Sequence, residues 1–184
     1  MKLVSERIII REFSYNDLDD YFEFANNPYV GPMAGWKPVP SKDVARQILA
    51  KYMLYKDVFA ICLKENNRVI GTMSIYDTGI RKYNKVKQLG FSLNYDYWNQ
   101  GIMTEAVQLT IKYIFTKTDC ELIEVGHHSD NYQSKRVIEK CGFLYDGRLA
   151  KYKKLYDGRL IDADFYSLTK EEYERMRLNE RTKA

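Results

Sequence analysis

The sequence predicts a single α/β domain built on one mixed sheet, antiparallel in its first half and partly parallel in its second. Three observations carry this. Segments with the two-residue period of strands alternate with segments of helical spacing. Two late helices each lie between strands, the arrangement that lets neighbouring strands run parallel. The chain then closes on two strand-like runs around Asp157-Gly158, a two-residue hairpin signal. With 184 residues there is material for one well-buried core and too little for two, so residues 1–184 read as one domain.

Each element has its own warrant. Glu6–Phe13 is rich in β-branched residues and reads as the first strand. Ser14 followed three residues later by Asp17 is a helix-start signal, and Leu18, Tyr21, Phe22 and Ala25 follow at helical spacing to about Asn26. Asn27–Pro40 holds all four prolines and reads as a long loop around Met33 and Trp36. Ser41 with Val44, Ile48 and Leu49 restarts a helix to about Leu54. Val58–Leu63 and Arg68–Tyr76 read as strands across the turn Glu65-Asn66-Asn67, and Val86–Leu93 as a third. From Gly101 the pattern turns helical, with Ile102, Ala106, Leu109 and Tyr113 on one face. Leu122–His127 is a strand, Ser134–Cys141 a helix stopped by Gly142, and Phe143–Leu155 and Leu160–Leu168 are the closing strands before a polar tail from Thr169.

Composition narrows the function. The balance of 29 Lys+Arg against 25 Asp+Glu leaves a net charge of +4, which suits an anionic ligand without the dense basic patch of a nucleic-acid binder. Sixteen tyrosines can line a groove with rings that are apolar on the face and hydrogen-bonding at the tip. Cys62, Cys120 and Cys141 are odd in number and lack metal or redox spacing, so reduced thiols in a cytoplasmic protein are expected. The longest apolar run, Val58–Leu63, is far below a bilayer span, and no export signal opens the chain. His127 and His128 are adjacent on a strand and should face opposite ways, and no third ligand sits at metal spacing, so no metal is expected.

Two stretches carry chemistry. Asn99, Gln100, Gly101, Ile102, Met103 and Thr104 lie between a strand and an amphipathic helix, where unpaired amides and a partial positive charge can hold a pyrophosphate; a plain capped loop is the alternative. Asn131 and Ser134 lie one helical turn apart and can face one groove, or simply cap a helix.

The pair WNQGIMTEA (98–106) and NYQSKRVIEKCGF (131–143), separated by one strand, resembles the GNAT superfamily of N-acetyltransferases, specifically the RimJ/RimL type that acetylates N-terminal amines of ribosomal proteins. SERIIIREF is similar to that family's first strand, GWKP to its substrate-side loop, QLGFSL to its central strand and DGRLIDADFYSLTKEEY to its closing hairpin and tail. The resemblance implies a mostly antiparallel seven-stranded sheet with a splayed central strand pair and helices on both faces. It implies acetyl-CoA as co-substrate and an amine acceptor, with no membrane or direct nucleic-acid partner. Pantetheine would pair with Phe91, Ser92 and Leu93, the pyrophosphate would meet Asn99 to Thr104, and Leu93 N–H would hold the oxyanion. Asn131 and Ser134 would lie along the pantetheine and sulfur, with Lys135, Arg136 or Lys140 near the exposed phosphate. The loop with Tyr29 and Trp36 would form the acceptor wall.

Two departures stand out. The tyrosine that many members use to protonate the thiolate is Ile138 here, which leaves Ser134 as the donor at that place. The acid that some RimL-like members carry on the next strand is absent from Ala150–Lys154. His127 and Asp162 are the candidate bases, with Glu105 and Glu124 as lesser ones. Cys141 as an acetyl-carrying nucleophile is the rival mechanism, disfavoured by its place at a helix C-terminus. An α-amine, with a pKa of about 8 against about 10.4 for lysine, needs the least base catalysis and is the favoured acceptor. Antibiotics, polyamines or amino acids as acceptors, a non-catalytic CoA-binding module on the ribosome or RNA, and a homodimer all stay open.

Overall fold

The computed structural model describes residues 1–77 and 79–183. Eight strands form one sheet in the order β1-β2-β3-β4-β5-β6-β8-β7. They are β1 (Lys2–Val4), β2 (Ile8–Arg11), β3 (Val58–Leu63), β4 (Val69–Tyr76), β5 (Val86–Leu93), β6 (Leu122–His128), β7 (Leu144–Lys154) and β8 (Leu160–Thr169). Every neighbouring pair is antiparallel except β5 and β6, which are joined by the helix α4 (Ile102–Lys117) and run parallel. The expected mixed sheet is present, with one strand more than the seven implied by resemblance. The expected strand Glu6–Phe13 is present as the shorter β2, and the additional strand is β1, turned back onto it where Ser5 N–H bonds Ile8 O at 3.0 Å.

Helices cover both faces because the strands are apolar on both. On β3, Phe59 and Ile61 turn to one side and Val58, Ala60 and Cys62 to the other, all buried. The first side joins Ile8, Ile10, Met73, Leu89, Ile123 and Val125 to α4 and to α5 (Tyr132–Lys140). The second packs on α1 (Leu18–Ala25) and α3 (Lys42–Tyr55) through Tyr21, Phe24, Ala45 and Leu49. On α4, Ile102 and Ala106 of the expected stripe are buried, but Leu109 and Tyr113 are only half-buried, and the buried face turns toward Val107, Thr110, Ile111 and Ile114. That rotation follows from α4 being covered by the sheet on one side and by β1 and α5 on its flanks.

Three further differences are local. The proline-rich loop contains a single turn of helix, α2 (Gly31–Ala34), entered through Pro32 and ended by Gly35 at φ 82. The hairpin turn at Asp157-Gly158 is a three-residue loop: Leu155 N–H bonds Arg159 O, and Gly158 takes φ 87. The polar tail is the helix α6 (Lys170–Lys183), started by a reciprocal cap in which Thr169 N–H donates to Glu172 Oε2 at 2.8 Å and Glu172 N–H to Thr169 Oγ1 at 3.2 Å. Tyr173 anchors it on Phe115, ring centroids 5.2 Å apart. Among the described residues no helix is long and apolar enough to cross a membrane.

Candidate active site

The site begins where the parallel pair comes apart. β5 and β6 pair from Val86↔Leu122 to Leu89↔Val125 and no further, although both strands continue. β5 stays paired to β4 as far as Gly71↔Leu93, and Asn94 N–H donates to Ile70 O at 2.7 Å on that same side. Backbone groups alternate along an antiparallel strand, so Phe91 and Leu93 turn theirs toward the edge that β6 has left. The Trp98 indole Nε1–H takes Leu93 O at 2.8 Å. Leu93 N–H and the polar groups of Phe91 therefore open onto the gap.

A second set of unpaired donors faces the same cleft. The first intrahelical bond of α4 is Glu105 N–H to Gly101 O at 3.1 Å, so the amides of Ile102, Met103 and Thr104 have no acceptor within the helix. No side chain caps them: the cap residue is Gly101, at φ 74, and Asn99 two residues earlier lies at φ 60. The loop is clamped from below. Glu105 accepts from Ser5 Oγ at 2.7 Å, from Arg7 N at 3.2 Å and from Arg7 Nε at 2.6 Å, while Arg7 Nη1 donates to Gln100 O at 2.9 Å. Burial alone would raise the Glu105 carboxyl; these donors outweigh it and hold it below the usual range.

The opposite wall is the start of α5. Asn131 Oδ1 accepts Ser134 N–H at 3.0 Å, capping the helix, and its Nδ2 donates to Met33 O at 2.9 Å, tying the loop 27–40 to the cleft. Among the described residues Ser134 Oγ makes no hydrogen bond. Two cavities meet here, sharing Met33, Ala34, Phe91, Asn131 and Ser134. The larger, 220 Å³, runs along Phe91–Leu93 to the α4 amides and is bordered by Arg136 and Lys140. The smaller, 150 Å³, ends at Gly90, Gly126, His127 and His128. Together they join uncapped helix amides at one end, a free strand edge in the middle and imidazoles at the other.

Comparison with known proteins agrees with that geometry. Residues 7–144 match the family model of the acetyltransferase (GNAT) domain. The chain belongs to this family. It is accordingly an acetyl-CoA-dependent acetyltransferase. An uncharacterized N-acetyltransferase, p20 of Bacillus licheniformis, is 30% identical over 93% of this chain and 97% of its own. A GNAT-family acetyltransferase from Bacillus anthracis has 25% identity and a TM-score of 0.84, covering 94% of this chain and 100% of that one. RimL, a ribosomal-protein α-N-acetyltransferase solved with coenzyme A, shares the fold at a TM-score of 0.79 with 19% identity, covering 92% of this chain and 98% of that one.

Within this acetyltransferase the other residues singled out from sequence lie as follows. Ile138 is fully buried in the α4–α5 core. His127 is buried, with Nδ1 2.7 Å from His128 O and Nε2 3.5 Å from the Tyr166 hydroxyl, and its ring stacks on Tyr166. Asp162 lines neither cavity; its carboxylate accepts Lys151 N–H at 2.8 Å where β7 bulges. Glu124 is fully buried and accepts Ile80 N–H at 2.6 Å and Arg81 Nη1 at 3.1 Å, holding the segment after β4. Lys135 lies 3.8 Å from Glu139 rather than on the cleft. Tyr29 is exposed and stacks on Tyr95, which meets Trp98 in turn. Trp36 packs over Gly31; the loop presents Val30, Met33 and Ala34 to the cavities instead. Gln100 spends its side chain on Asp96 O at 2.9 Å. The Cys141 thiol, buried and pushed up to about 12, is held protonated, which opposes a nucleophilic role. Sequence reading missed Arg7, Ser5 and the Asn131–Met33 tether, all of them contacts across long stretches of chain. Among the described residues there is no group of three or more potential metal ligands.

Proposed function

We propose that this acetyltransferase moves an acetyl group from acetyl-CoA to the α-amine of a protein N-terminus, as RimJ/RimL-type enzymes do. The parting of β5 from β6 beyond Leu89 carries the reading. A pantetheine arm would complete the sheet there by bonding to Phe91 and Leu93, while the pyrophosphate meets the amides of Ile102, Met103 and Thr104. Arg136 and Lys140 border the cavity where the remaining phosphate would emerge.

Leu93 N–H is then the donor for the thioester carbonyl, stronger toward the oxyanion that develops during attack than toward the starting carbonyl. Ser134 Oγ, unpaired among the described residues and on a residue shared by both cavities, is the proton donor for the departing sulfur, a job no phenol performs from position 138, where Ile138 stands in the core. The acceptor enters from the His127–His128 end. Among the described residues neither cavity is lined by a carboxylate, which supports an amine of about pKa 8 over a lysine near 10.4. Cytoplasmic residence belongs to the same reading, since all three cysteines are free thiols.

The test is mass spectrometry of a cell lysate incubated with the protein and isotopically labelled acetyl-CoA. The mark is expected on the first residue of one protein or a few. Label confined to lysine side chains, or to small amines, would overturn the acceptor assignment.

A further inference from the structure

We propose that His128, rather than His127, is the general base that takes the proton from the attacking amine. The proposal rests on the acetyl-transfer reading but not on which amine is the acceptor. The two imidazoles share the small cavity yet differ in what is left of them. Both nitrogens of His127 face protein oxygens, at 2.7 Å and 3.5 Å, and one face of the ring is covered by Tyr166. Among the described residues the His128 ring makes no hydrogen bond and is half-buried, so it keeps a nitrogen for an incoming N–H while sitting at the cavity wall.

The loop 27–40 is shaped to seat that ring. Gly35 closes α2 at φ 82, and a methyl group placed on it would come within 2.7 Å of His128 Cε1 and 2.8 Å of Nε2. Only a glycine lets the loop lie against the imidazole. The Asn131–Met33 bond fixes the same loop from the cofactor side, so ring, loop and Ser134 hydroxyl border one volume.

The charges around His128 favour the neutral, proton-accepting form. Burial is the largest influence and holds the ring below the usual histidine range; Lys153 on β7 acts the same way, as do His127 beside it and Arg159 at the hairpin turn, against Asp130 alone. The neighbouring segment of loop 27–40 brings uncharged Met33, Ala34 and Gly35. At neutral pH the ring is therefore ready to accept a proton.

In the reaction the amine lone pair forms a bond to the thioester carbonyl carbon, and His128 takes one proton from that nitrogen. The carbonyl re-forms as the carbon–sulfur bond breaks, and the thiolate takes a proton from Ser134 Oγ. Water carries the imidazolium proton back to the serine. The net change is one proton from nitrogen to sulfur, with no oxidant or further reactant.

The chain has two histidines, so ring resonances in a pH titration by NMR are few enough to assign with an H128Q variant. We expect His128 to titrate below pH 6.5 and to be carbethoxylated by diethylpyrocarbonate in the wild-type protein, while His127 resists. With the tripeptide Ser-Ala-Tyr as acceptor, H128Q should lose about 10²-fold or more in kcat at pH 7 with coenzyme A affinity unchanged. Added imidazole should restore part of the rate in H128A, which a merely structural role would not allow. His128 protonated at pH 7, a ring inert to the reagent, or H128Q turning over within threefold of wild type would each overturn the proposal. A wild-type protein inactive on the tripeptide counts against the acceptor reading instead, and the titration and labelling then decide for His128.

Discussion

Replacing Gly101 by alanine isolates the cost of shaping the anion loop. Gly101 sits at φ 74, where an L-residue pays about 1–2 kcal/mol for the crowding of its Cβ against its own backbone. Steric conflict with the surroundings adds nothing, because the nearest atom to the new methyl is Arg7 Nη2 at 3.6 Å, an ordinary contact. The whole penalty is conformational, and it enters whichever equilibrium needs this loop shape. If the loop holds its form in the free protein, folding loses that 1–2 kcal/mol and Tm drops by roughly 2–8 °C for a chain of this size. If the loop relaxes instead, the amides of Ile102–Thr104 turn away and coenzyme A must restore them, raising its Kd about 5- to 30-fold. Calorimetric titration with coenzyme A and a thermal melt, run on the same G101A sample, measure both shares, which should sum to the same total. G101N should show less than half of it, since asparagine tolerates this backbone region. A G101A protein with both Kd and Tm unchanged would mean that the loop is not held in the described shape, and the anion seat would go with it.

Further outcomes follow from other parts of the site and core. Ser134→Ala should lower kcat about 10²-fold with little change in coenzyme A affinity, read from steady-state thiol release; full turnover would remove the proton-donor assignment. Ile138→Tyr, made to supply the phenol that the family resemblance leads one to expect at this position, should place a ring in a fully buried slot and lower stability by about 1–3 kcal/mol in a denaturant melt, without restoring the Ser134→Ala rate. Asp17 accepts from Arg11 Nη1 and Nη2, each at 2.8 Å, and from Ser14 N–H at 2.7 Å; burial would raise its carboxyl, but these donors hold it below the usual carboxylate range. Its folded value being the lower, the pair stabilises the protein above about pH 4 and that share is lost as pH falls through the folded value, so a Tm-against-pH curve should decline there and flatten in D17N. Asp17→Ala should cost about 2 kcal/mol, less than a fully buried pair because the Arg11 side chain keeps 18% of its exposure.

What sequence reveals here follows from how local each signal is. α3, β3 and β5 are legible because Ser41, the run Val58–Leu63 and the run Val86–Leu93 state cap and period within a few residues. α6 was equally local in one respect: Thr169 and Glu172 have the spacing of a reciprocal cap, yet the polar surface that follows hides a helix anchored by little more than Tyr173 and Met176. β1 is three residues long and exists only because β2 offers it an edge, information that no window of sequence holds. In the site, Gly101 and the uncapped start of α4 were readable because glycine before a helix is a backbone statement. Arg7, 98 residues from Glu105, was not. His127 is a candidate base from its place at a strand end, but the oxygens facing its two nitrogens, one of them on Tyr166 39 residues away, are visible only in the fold.

The seam between β5 and β6 also has a thermodynamic meaning. A sheet that stops short leaves its own polar edge to water, and in the proposed binding mode the molecule that fills that edge is the reactant itself. Occupancy then contributes to holding the barrel of contacts around Phe91 and Leu93 shut, by the mass-action term any native-state ligand supplies. Backbone protons of these residues should exchange readily in the empty protein and slowly in the loaded one. Resistance to heat and to proteolysis should then rise with the concentration of the acyl-thioester supplied.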